Sequence, residues 1–320
     1  MKKIFSLAIV SFLIVTNSQA KIWRVNNTNG VAADFTNAQA AHNGAAAGDT
    51  IHLEPSVNGY GSLTTSKKLT WISTGNFLTN HPGLQYSATP GGIADLAVNA
   101  GSENSVFSCN IAYVYCYAPN VTFQRCFIAS NFLAIYSTAN NCVTIGCFIN
   151  GSLSVNGATN VIISNNIIAY SIGVSSTSSA VLTNNILNYV SSGGNTIYNS
   201  QLQNNIIDQA NSNYAFTNCV LNNNMANNTS LPAGNGNVNS VTMSTVFANF
   251  SGNTDGDYVL KAASPAIGTG YGGTDMGVFG GSTPFVIAMQ PAVPAIYQLT
   301  APAAPSGNTM NVTFSTRSNN

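Results

Sequence analysis

A short phrase recurs through the middle of the chain and constrains its fold more than any other feature. Its clearest copies, residues 161–168, 181–187, 201–207 and 220–225, each place an Asn-Asn pair between apolar residues. Two earlier copies carry cysteine where the second asparagine stands. The marker positions are Cys126, Cys147, Asn166, Asn185, Asn205 and Asn224, at steps of 21, 19, 19, 20 and 19 residues. A period of about twenty residues without a helical pattern is typical of a solenoid of stacked coils.

We therefore predict an all-β fold, a right-handed parallel β-helix with roughly nine to eleven coils of about 20 residues. Asp34 is expected to N-cap a short helix over residues 35–43, which would cover the open end of the first coil. The irregular residues 76–104 are expected to leave the stack. The sequence predicts five parts. Residues 1–20 form a signal peptide, 21–104 an N-terminal cap with the first coils, and 105–250 the central repeats. Residues 251–283 form a C-terminal coil or cap, and 284–320 a Pro-rich extended tail with a final strand.

The Asn-Asn pair marks a bend in each coil, because asparagine tolerates left-handed backbone conformations. Cysteine, one of the most buried residue types, twice replaces the second asparagine, so this position is expected to point inward. Each buried amide would then bond the next coil, since buried polar groups need partners. The six marker positions are thus predicted to form an internal structural ladder.

The cysteines leave their pairing open. Cys126 and Cys147 occupy equivalent positions on successive coils, where both a disulfide and a stack of free inward thiols are compatible with the spacing. Cys142 and Cys219 also match each other, but about four coils separate them, which is too far for a bond. The pattern does not assign Cys109 and Cys116.

The first twenty residues have the pattern of a secretory signal peptide. Lys2 and Lys3 precede an apolar run at residues 4–15, and small residues at 18–20 suit a cleavage site. The run is too short to span a bilayer comfortably, and no later segment approaches the length of a transmembrane helix. The sequence thus predicts export to the cell surface or beyond.

Charge restricts the partners of the chain. Lys and Arg total 9 and Asp and Glu total 9 of 320 residues, far below the usual quarter. Without a basic patch to neutralise phosphates, nucleic acid is not an expected partner. A surface of neutral hydrogen-bonding residues instead suits neutral polysaccharide or cell-envelope components.

The entry segment 34–53, the Asn-Asn-Ile coils and the closing phrase at 257–279 resemble secreted right-handed parallel β-helix proteins of the pectin-lyase-like superfold. The closing phrase, which includes Ser264-Pro265-Ala266-Ile267-Gly268, is similar to one in exported β-helix proteins of Bacteroidetes-type bacteria. Together these segments cover residues 22–283. The resemblance implies the fold, but it implies little about function, because this superfold hosts lyases, hydrolases, esterases, adhesins and phage tailspikes.

Pectin-acting members of the superfold need clustered charge, either acidic calcium ligands with an Arg base or two to three acids. Between Cys109 and Phe250 this chain carries only Arg125 and Asp208 as formal charges. They are expected about four coils, or nearly 20 Å, apart. We therefore predict no catalytic residue and no cofactor on the central coils, and we lean toward a non-catalytic protein.

A rival interpretation is a polysaccharide-acting enzyme, a lyase or glycoside hydrolase, with its site at the solenoid ends. It would use some of the acids there: Asp49, Asp95, Asp255, Asp257 and Asp275. Asp255 and Asp257 flank a glycine beside Asn253, where either a calcium ion or an ordinary solvated turn fits the pattern. For Asp49 and Asp275, hydrogen bonding to backbone amides is the alternative.

Aromatic residues supply the remaining functional hypothesis. Eight tyrosines recur near coil ends: Tyr113, Tyr115, Tyr117, Tyr136, Tyr170, Tyr189, Tyr198 and Tyr214. Stacked in a column they would bind sugar rings, whereas packing of their bodies at turns is the alternative. The glycan-contact candidates are Tyr136, Tyr170, Tyr189 and Tyr214. The sequence thus predicts an exported, non-catalytic β-helix protein with a structural, adhesive or glycan-binding role.

Overall fold

Each copy of the repeat forms one coil of a parallel β-solenoid. The computed structural model describes residues 20–189, 196–209, 214–250 and 252–318. In these residues about nine coils stack, and strand register joins Val143 to Ile162 and Ile162 to Val181, a step of 19 residues each time. The predicted all-β class, parallel coils and repeat are confirmed. The predicted signal peptide lies outside the described residues except for Ala20.

The first sheet receives one short strand from each coil. Its alternate side chains point inward, so Phe123, Ile163 and Leu182 are fully buried. Its described strands, in spatial order, are β1 (Ile22–Val25), β2 (Thr50–Leu53), β4 (Thr70–Ile72), β6 (Val106–Ser108), β8 (Thr122–Gln124), β10 (Val143–Ile145), β13 (Val161–Ser164), β16 (Ala180–Thr183), β19 (Gln201–Gln203) and β22 (Val220–Asn222).

The second sheet has 13 described strands, because most later coils contribute two short strands to it. Its early described strands are β3 (Leu63–Thr65), β5 (Gly92–Val98), β7 (Asn110–Cys116) and β9 (Phe127–Tyr136). Its later described strands are β11 (Phe148–Ile149), β12 (Ser152–Asn156), β14 (Ile167–Ile168), β15 (Ser171–Val174), β17 (Ile186–Tyr189), β18 (Thr196–Tyr198), β20 (Ile206–Gln209), β21 (Ala215–Thr217) and β23 (Met225–Ala226). Residues 76–104 were expected to leave the stack, but β5 belongs to it.

The N-terminal helix begins later than predicted. Helix α1 (Ala38–Gly44) is capped by Asn37, whose Oδ1 accepts a hydrogen bond from the Ala40 amide at 2.8 Å. The prediction that Asp34 caps this helix is wrong, because the Asp34 carboxylate instead accepts a bond from the Arg24 amide. The helix buries Ala38 and Ala41 against the core at the first coil.

After the last coil the chain turns back along the solenoid. This part contains α2 (Met243–Val246) and three 3-10 turns, Asp255–Tyr258, Tyr271–Gly273 and Ile287–Met289. Residues 264–290, which we call the C-terminal strap, run from the last coil toward the first ones. Gly277, at φ +83°, lies so close to the coils that an added Cβ would approach Ile206 Cδ1 to 2.8 Å. The strap spans most of the segment that the sequence suggested as a C-terminal coil or cap.

The chain ends in an antiparallel hairpin of β24 (Ala295–Thr300) and β25 (Thr313–Arg317). The predicted final strand is thus the second half of a hairpin. In the part of the chain that the structure describes, no helix combines the length and apolar character that crossing a bilayer requires.

Candidate functional site

The predicted ladder positions lie inside the solenoid. Asn166, Asn185, Asn205 and Asn224 are fully buried. The Asn185 amide nitrogen donates to Ile163 O of the preceding coil at 2.8 Å and to Asn205 Oδ1 of the next coil at 2.9 Å. The other members repeat this pattern, and the ladder continues to Asn237, which the sequence pattern missed because its step is 13 residues. With its amides bonded internally, this row serves the fold.

Cys126 and Cys147 extend the row as free thiols. The Cys126 amide donates to Cys147 Sγ at 3.3 Å, so the sulfur takes the place of the asparagine oxygen. The two S–H groups donate to carbonyls of the preceding coils, Cys126 to Phe107 O at 3.1 Å and Cys147 to Phe123 O at 3.4 Å. Of the two alternatives for this pair, the structure has the thiols.

Asp255 fixes a 3-10 turn to two other segments. Its carboxylate is fully buried, lies 2.8 Å from His81 Nε2, and accepts a hydrogen bond from the Ala288 amide of the strap. A buried carboxylate with these partners holds three segments of the chain together. This arrangement differs from the solvated turn that the sequence suggested.

Asp257 is also buried and accepts bonds from the amides of Asn253 and Thr254, each at 2.9 Å, and from Asn249 Nδ2. Protein donors therefore bind both of its carboxylate oxygens. Within the described ranges no group of three or more His, Cys, Asp or Glu side chains is arranged to hold a metal. The calcium site suggested near Asp255 and Asp257 remains a hypothesis without a preformed ligand cage.

The other end-located acids lie in separate parts of the molecule. Asp49, in the first coil, accepts bonds from the amides of Lys21 and Ala46 and from the Trp23 indole. Asp275 bonds the Gly268 amide within the strap, and Asp95 accepts a bond from Ser62 Oγ on the outer face of β5. In the described chain these acids do not meet in one cluster.

The two central charges have different surroundings. Arg125 Nη1 donates to Gln290 O at 3.0 Å, which attaches the end of the strap to an early coil. Asp208, on β20, accepts a bond from Asn227 Nδ2, and its burial raises the pKa of the carboxyl to about 6. The nearby Tyr258 hydroxyl accepts a bond from Asn188 Nδ2, and burial raises its pKa to about 12.

The strap covers an apolar column on the outer face of the second sheet. The column consists of outward-facing residues in register on successive coils: Phe148, Ile167, Ile186, Ile206 and Met225. All of them are buried. They pack against Met276, Val278, Phe285 and Met289 of the strap in a second hydrophobic core. This face is therefore closed by the chain itself.

The first asparagine of each pair binds the strap from the coil corner. Asn165, Asn184, Asn204 and Asn223 all have positive φ, between 52° and 58°. Asn184 Nδ2 donates to Asp275 O and Gly277 O at 3.1 and 3.2 Å. The equivalent amide of Asn165 bonds Val278 O and Gly280 O. The repeat thus carries two rows of asparagines, one facing the core and one facing the strap.

The predicted tyrosine candidates do not form one column. Tyr214 is only 3% exposed, so it offers no surface to a ligand and leaves the candidate set. Tyr170 is 47% exposed on a middle coil, Tyr136 ends β9 and is half-buried, and the side chain of Tyr189 lies outside the described part. Tyr136 belongs to a group of neighbouring aromatic residues that does not include Tyr170.

That group is a cluster of aromatic rings on the outer face of β7 and β9, which we call the aromatic patch: Tyr113, Tyr115, Tyr117, Phe132 and Tyr136. Phe132 packs edge-on against Tyr113 and Tyr115, with ring centroids 5.7 and 5.0 Å apart. Tyr117 and Tyr136 stack at 4.7 Å, and Tyr117 is 39% exposed. The sequence signal for this patch is alternation, an aromatic residue at every second position of a strand.

Small neutral residues continue the same outer face on the next coils. The register places Ser152 and Ser171 in line with Phe132, and Ser154 and Gly173 in line with Ala134. Ser171 Oγ donates to Ser152 Oγ at 2.7 Å. The aromatic patch therefore borders a row of small residues that carries hydroxyl groups. We call this row the serine shelf: Ser152, Ser154, Ser171 and Gly173.

Tyr117 is the patch phenol whose surroundings oppose ionisation. Burial, followed by the neighbouring Tyr136 and Tyr115, raises the pKa of Tyr117 above its ordinary value. Asp95 is in register with Tyr113 on the neighbouring strand, and its carboxylate accepts a hydrogen bond from Ser62 Oγ. The patch thus combines apolar ring faces with phenol hydroxyls, and the Asp95 carboxylate lies beside it.

A separate cleft of about 320 Å³ lies where the end of the strap meets the first coils, lined by His52, Gln85, Pro291 and Ile296 among others. The Gln85 amide already donates to Thr74 O, and burial lowers the pKa of His52. Its lining thus offers a neutral imidazole beside proline rings.

Comparison of the chain with protein-family models, curated proteins and solved structures gives no match.

Proposed function

We propose that this is an exported, non-catalytic protein of the pectin-lyase-like kind of right-handed β-helix, which binds a neutral glycan on the aromatic patch. The observation that carries the proposal is the patch itself. Its aromatic rings lie on the outer face of a rigid sheet and are not covered by the strap, which covers the neighbouring apolar column.

Sugar rings suit such a surface because they have two different sides. The C–H groups on the face of a pyranose pack on aromatic rings, while the hydroxyls around its edge need hydrogen-bonding partners. Tyr115 and Phe132 provide ring surface, and the Ser152–Ser171 pair provides hydroxyls on the same face. An aromatic cluster left partly exposed on a soluble surface is more typical of a binding site than of a core.

Charge favours a neutral ligand over an acidic one. Asp95 lies beside Tyr113, and the described outer strands β7, β9, β12 and β15 carry no Lys or Arg that would pair with a uronate. A carboxylate at the edge of a site repels an acidic sugar and accepts hydrogen bonds from neutral hydroxyls. We therefore expect neutral hexose or pentose polymers to bind better than pectate.

The solenoid also supplies rigidity. Successive coils stand about 4.8 Å apart, and each strand of the shelf is hydrogen-bonded on both sides, so the face is ordered before a ligand arrives. A linear glycan lying along the axis would pass from the aromatic rings onto the serine shelf. The binding mode requires no cofactor.

The experiment is a glycan array probed with residues 21–320, followed by titration calorimetry with the best neutral ligand. Tyr115→Ala and Phe132→Ala are expected to weaken binding about tenfold each, since truncating an aromatic anchor typically removes more than 1 kcal/mol. Tyr170→Ala is the matched control, because this tyrosine is 47% exposed but lies outside the patch. Equal losses in all three variants, or no binding to any neutral glycan, would contradict the proposal.

A purely structural or adhesive role is the second candidate, favoured by the two asparagine rows and the strap that reinforce the solenoid. It predicts a clean negative on the array together with recovery of the protein in envelope or matrix fractions.

The enzyme alternative is tested by incubating the protein with pectate, pectin and related uronates, with and without calcium. New unsaturated or reducing ends that disappear in Asp208→Asn or Arg125→Ala would establish catalysis on the central coils. Ends that persist in both variants would direct attention to the aspartates at the solenoid ends.

A further inference from the structure

Two cysteines that the sequence pattern left unpaired lie in contact inside the solenoid. Cys116 ends β7 and Cys142 precedes β10, and both side chains are fully buried. Their Sγ atoms lie 3.9 Å apart although the residues are 26 positions apart in the chain. Both S–H groups point to the same acceptor, Ala118 O, at 3.5 and 3.4 Å.

This pair differs from Cys126 and Cys147 in its hydrogen bonds. Cys126 and Cys147 donate to two different carbonyls, Phe107 O and Phe123 O, and the Cys147 sulfur also accepts from an amide of the ladder. A disulfide between them would remove both S–H groups, and the two carbonyls would lose these hydrogen bonds. Cys116 and Cys142 compete for one carbonyl oxygen. Because thiols are weak donors, oxidation of this pair loses little hydrogen-bonding energy.

We infer that Cys116 and Cys142 form a disulfide when the chain folds under oxidising conditions. Rotation of the two side chains can bring sulfurs already in contact to the bonding distance of about 2.05 Å. The oxidant is a small disulfide such as oxidised glutathione. One cysteine thiolate attacks it and releases one glutathione, and the second thiolate displaces the other, so the protein loses two hydrogens and two glutathione thiols form.

Burial determines when this reaction happens. Both sulfurs are covered once the coils have stacked, so the bond forms during folding, before residues 117–141 close over the core. The reduced native protein is expected to resist the same oxidant. The bond links adjacent coils near the aromatic patch, since Tyr115 and Tyr117 flank Cys116 in the chain.

The distribution of basic residues makes the test simple. Trypsin cuts after Lys68, Arg125 and Lys261, so Cys116 and Cys142 fall in different peptides, 69–125 and 126–261. The full chain is unfolded in reductant and refolded with oxidised and reduced glutathione. It is then alkylated in denaturant, so that buried thiols react, and digested without reduction. We expect the two peptides to be joined, with the mass of the sum less two hydrogens, and to separate on reduction.

Variants identify the cysteines in the link. Cys116→Ser and Cys142→Ser should each abolish the joined peptide, whereas Cys109→Ser and Cys126→Ser should keep it. A bond between Cys126 and Cys147 would lie within one peptide and would not join the two. Full alkylation of all six cysteines in the refolded wild-type protein, or a link that survives Cys116→Ser, would overturn the inference. The wild-type result decides without any variant having to fold, and it is independent of glycan binding.

Discussion

The second sheet has two outer faces that the chain treats differently. On the strand segments with Ile167 and Ile186, outward apolar residues are buried under the strap. On β7 and β9, the rings of Tyr115 and Phe132 pack on each other and stay partly exposed, and Ser152 lies in register beside Phe132. The C-terminal strap therefore covers the apolar column and leaves the aromatic patch uncovered. The open face is therefore the better candidate for a ligand.

The largest expected effect is loss of stability from the covered face. Ile186→Ala should lower the free energy of unfolding by about 3 kcal/mol, because it leaves a cavity between the column and the strap. Ile162→Ala is the matched control on the first sheet, where the same side chain faces outward and is 44% exposed. It should change stability by about 1 kcal/mol or less. Urea unfolding of both variants measures the difference, and equal losses would show that the strap does not seal this face.

The next effect concerns attachment of the strap. Asn184→Ala removes two hydrogen bonds to Asp275 O and Gly277 O and should lower the free energy of unfolding by about 2 kcal/mol. Asn160→Ala is the control, since Asn160 has the same positive φ at another corner, where its side chain bonds only a neighbouring exposed asparagine. Protease cleavage within residues 264–290 should accelerate only in the Asn184 variant. Similar cleavage of both would mean that backbone strain, rather than the strap contact, sets the effect.

A smaller effect comes from Asp208, beside the covered face. Its pKa of about 6 in the folded protein exceeds the ordinary value of 3.8, so the folded state favours the protonated acid. The folded protein then binds more protons than the unfolded chain between those values, and stability falls as pH rises from about 4 to about 6. Asp208→Asn should therefore stabilise the protein by about 1 kcal/mol at pH 7, after allowance for solvent screening, and by almost nothing at pH 4. Urea midpoints at both pH values check this, and equal shifts at the two would contradict it.

The repeat made the inner parts of this structure predictable from the sequence. Asn185 and Asn205 could be placed inside because cysteine substitutes at the equivalent positions, which sets the direction of the side chain. Their partners follow from the period, since each coil repeats the contacts of the last. The same reasoning did not reach Asn237, whose shorter step breaks the period.

The outer parts were not predictable in this way. The strap has no repeat. Its sequence, residues 264–290, therefore gave no indication that Asn184 would bind carbonyl groups of the strap. Asp34 and Asn37 are both good N-cap residues, and only the backbone path of the entry segment determines that Asn37 caps the helix. Tyr214 and Tyr115 have the same residue type and a similar place near a coil end, but Tyr214 is buried and Tyr115 is partly exposed on the outer face of β7. Exposure depends on which neighbouring segment covers a coil, and the period carries no information about that.

The most direct test compares glycan binding and stability in the same variants. The double variant Tyr115→Ala/Phe132→Ala should lose most affinity for the best neutral glycan, roughly a hundredfold if the two losses add. It should keep the circular dichroism spectrum and nearly all of the urea midpoint of the wild type. Ile186→Ala should show the reverse, unchanged affinity with reduced stability. Loss of affinity in Ile186→Ala under native conditions, or full affinity in the double variant, would contradict the assignment of the open face as the binding site.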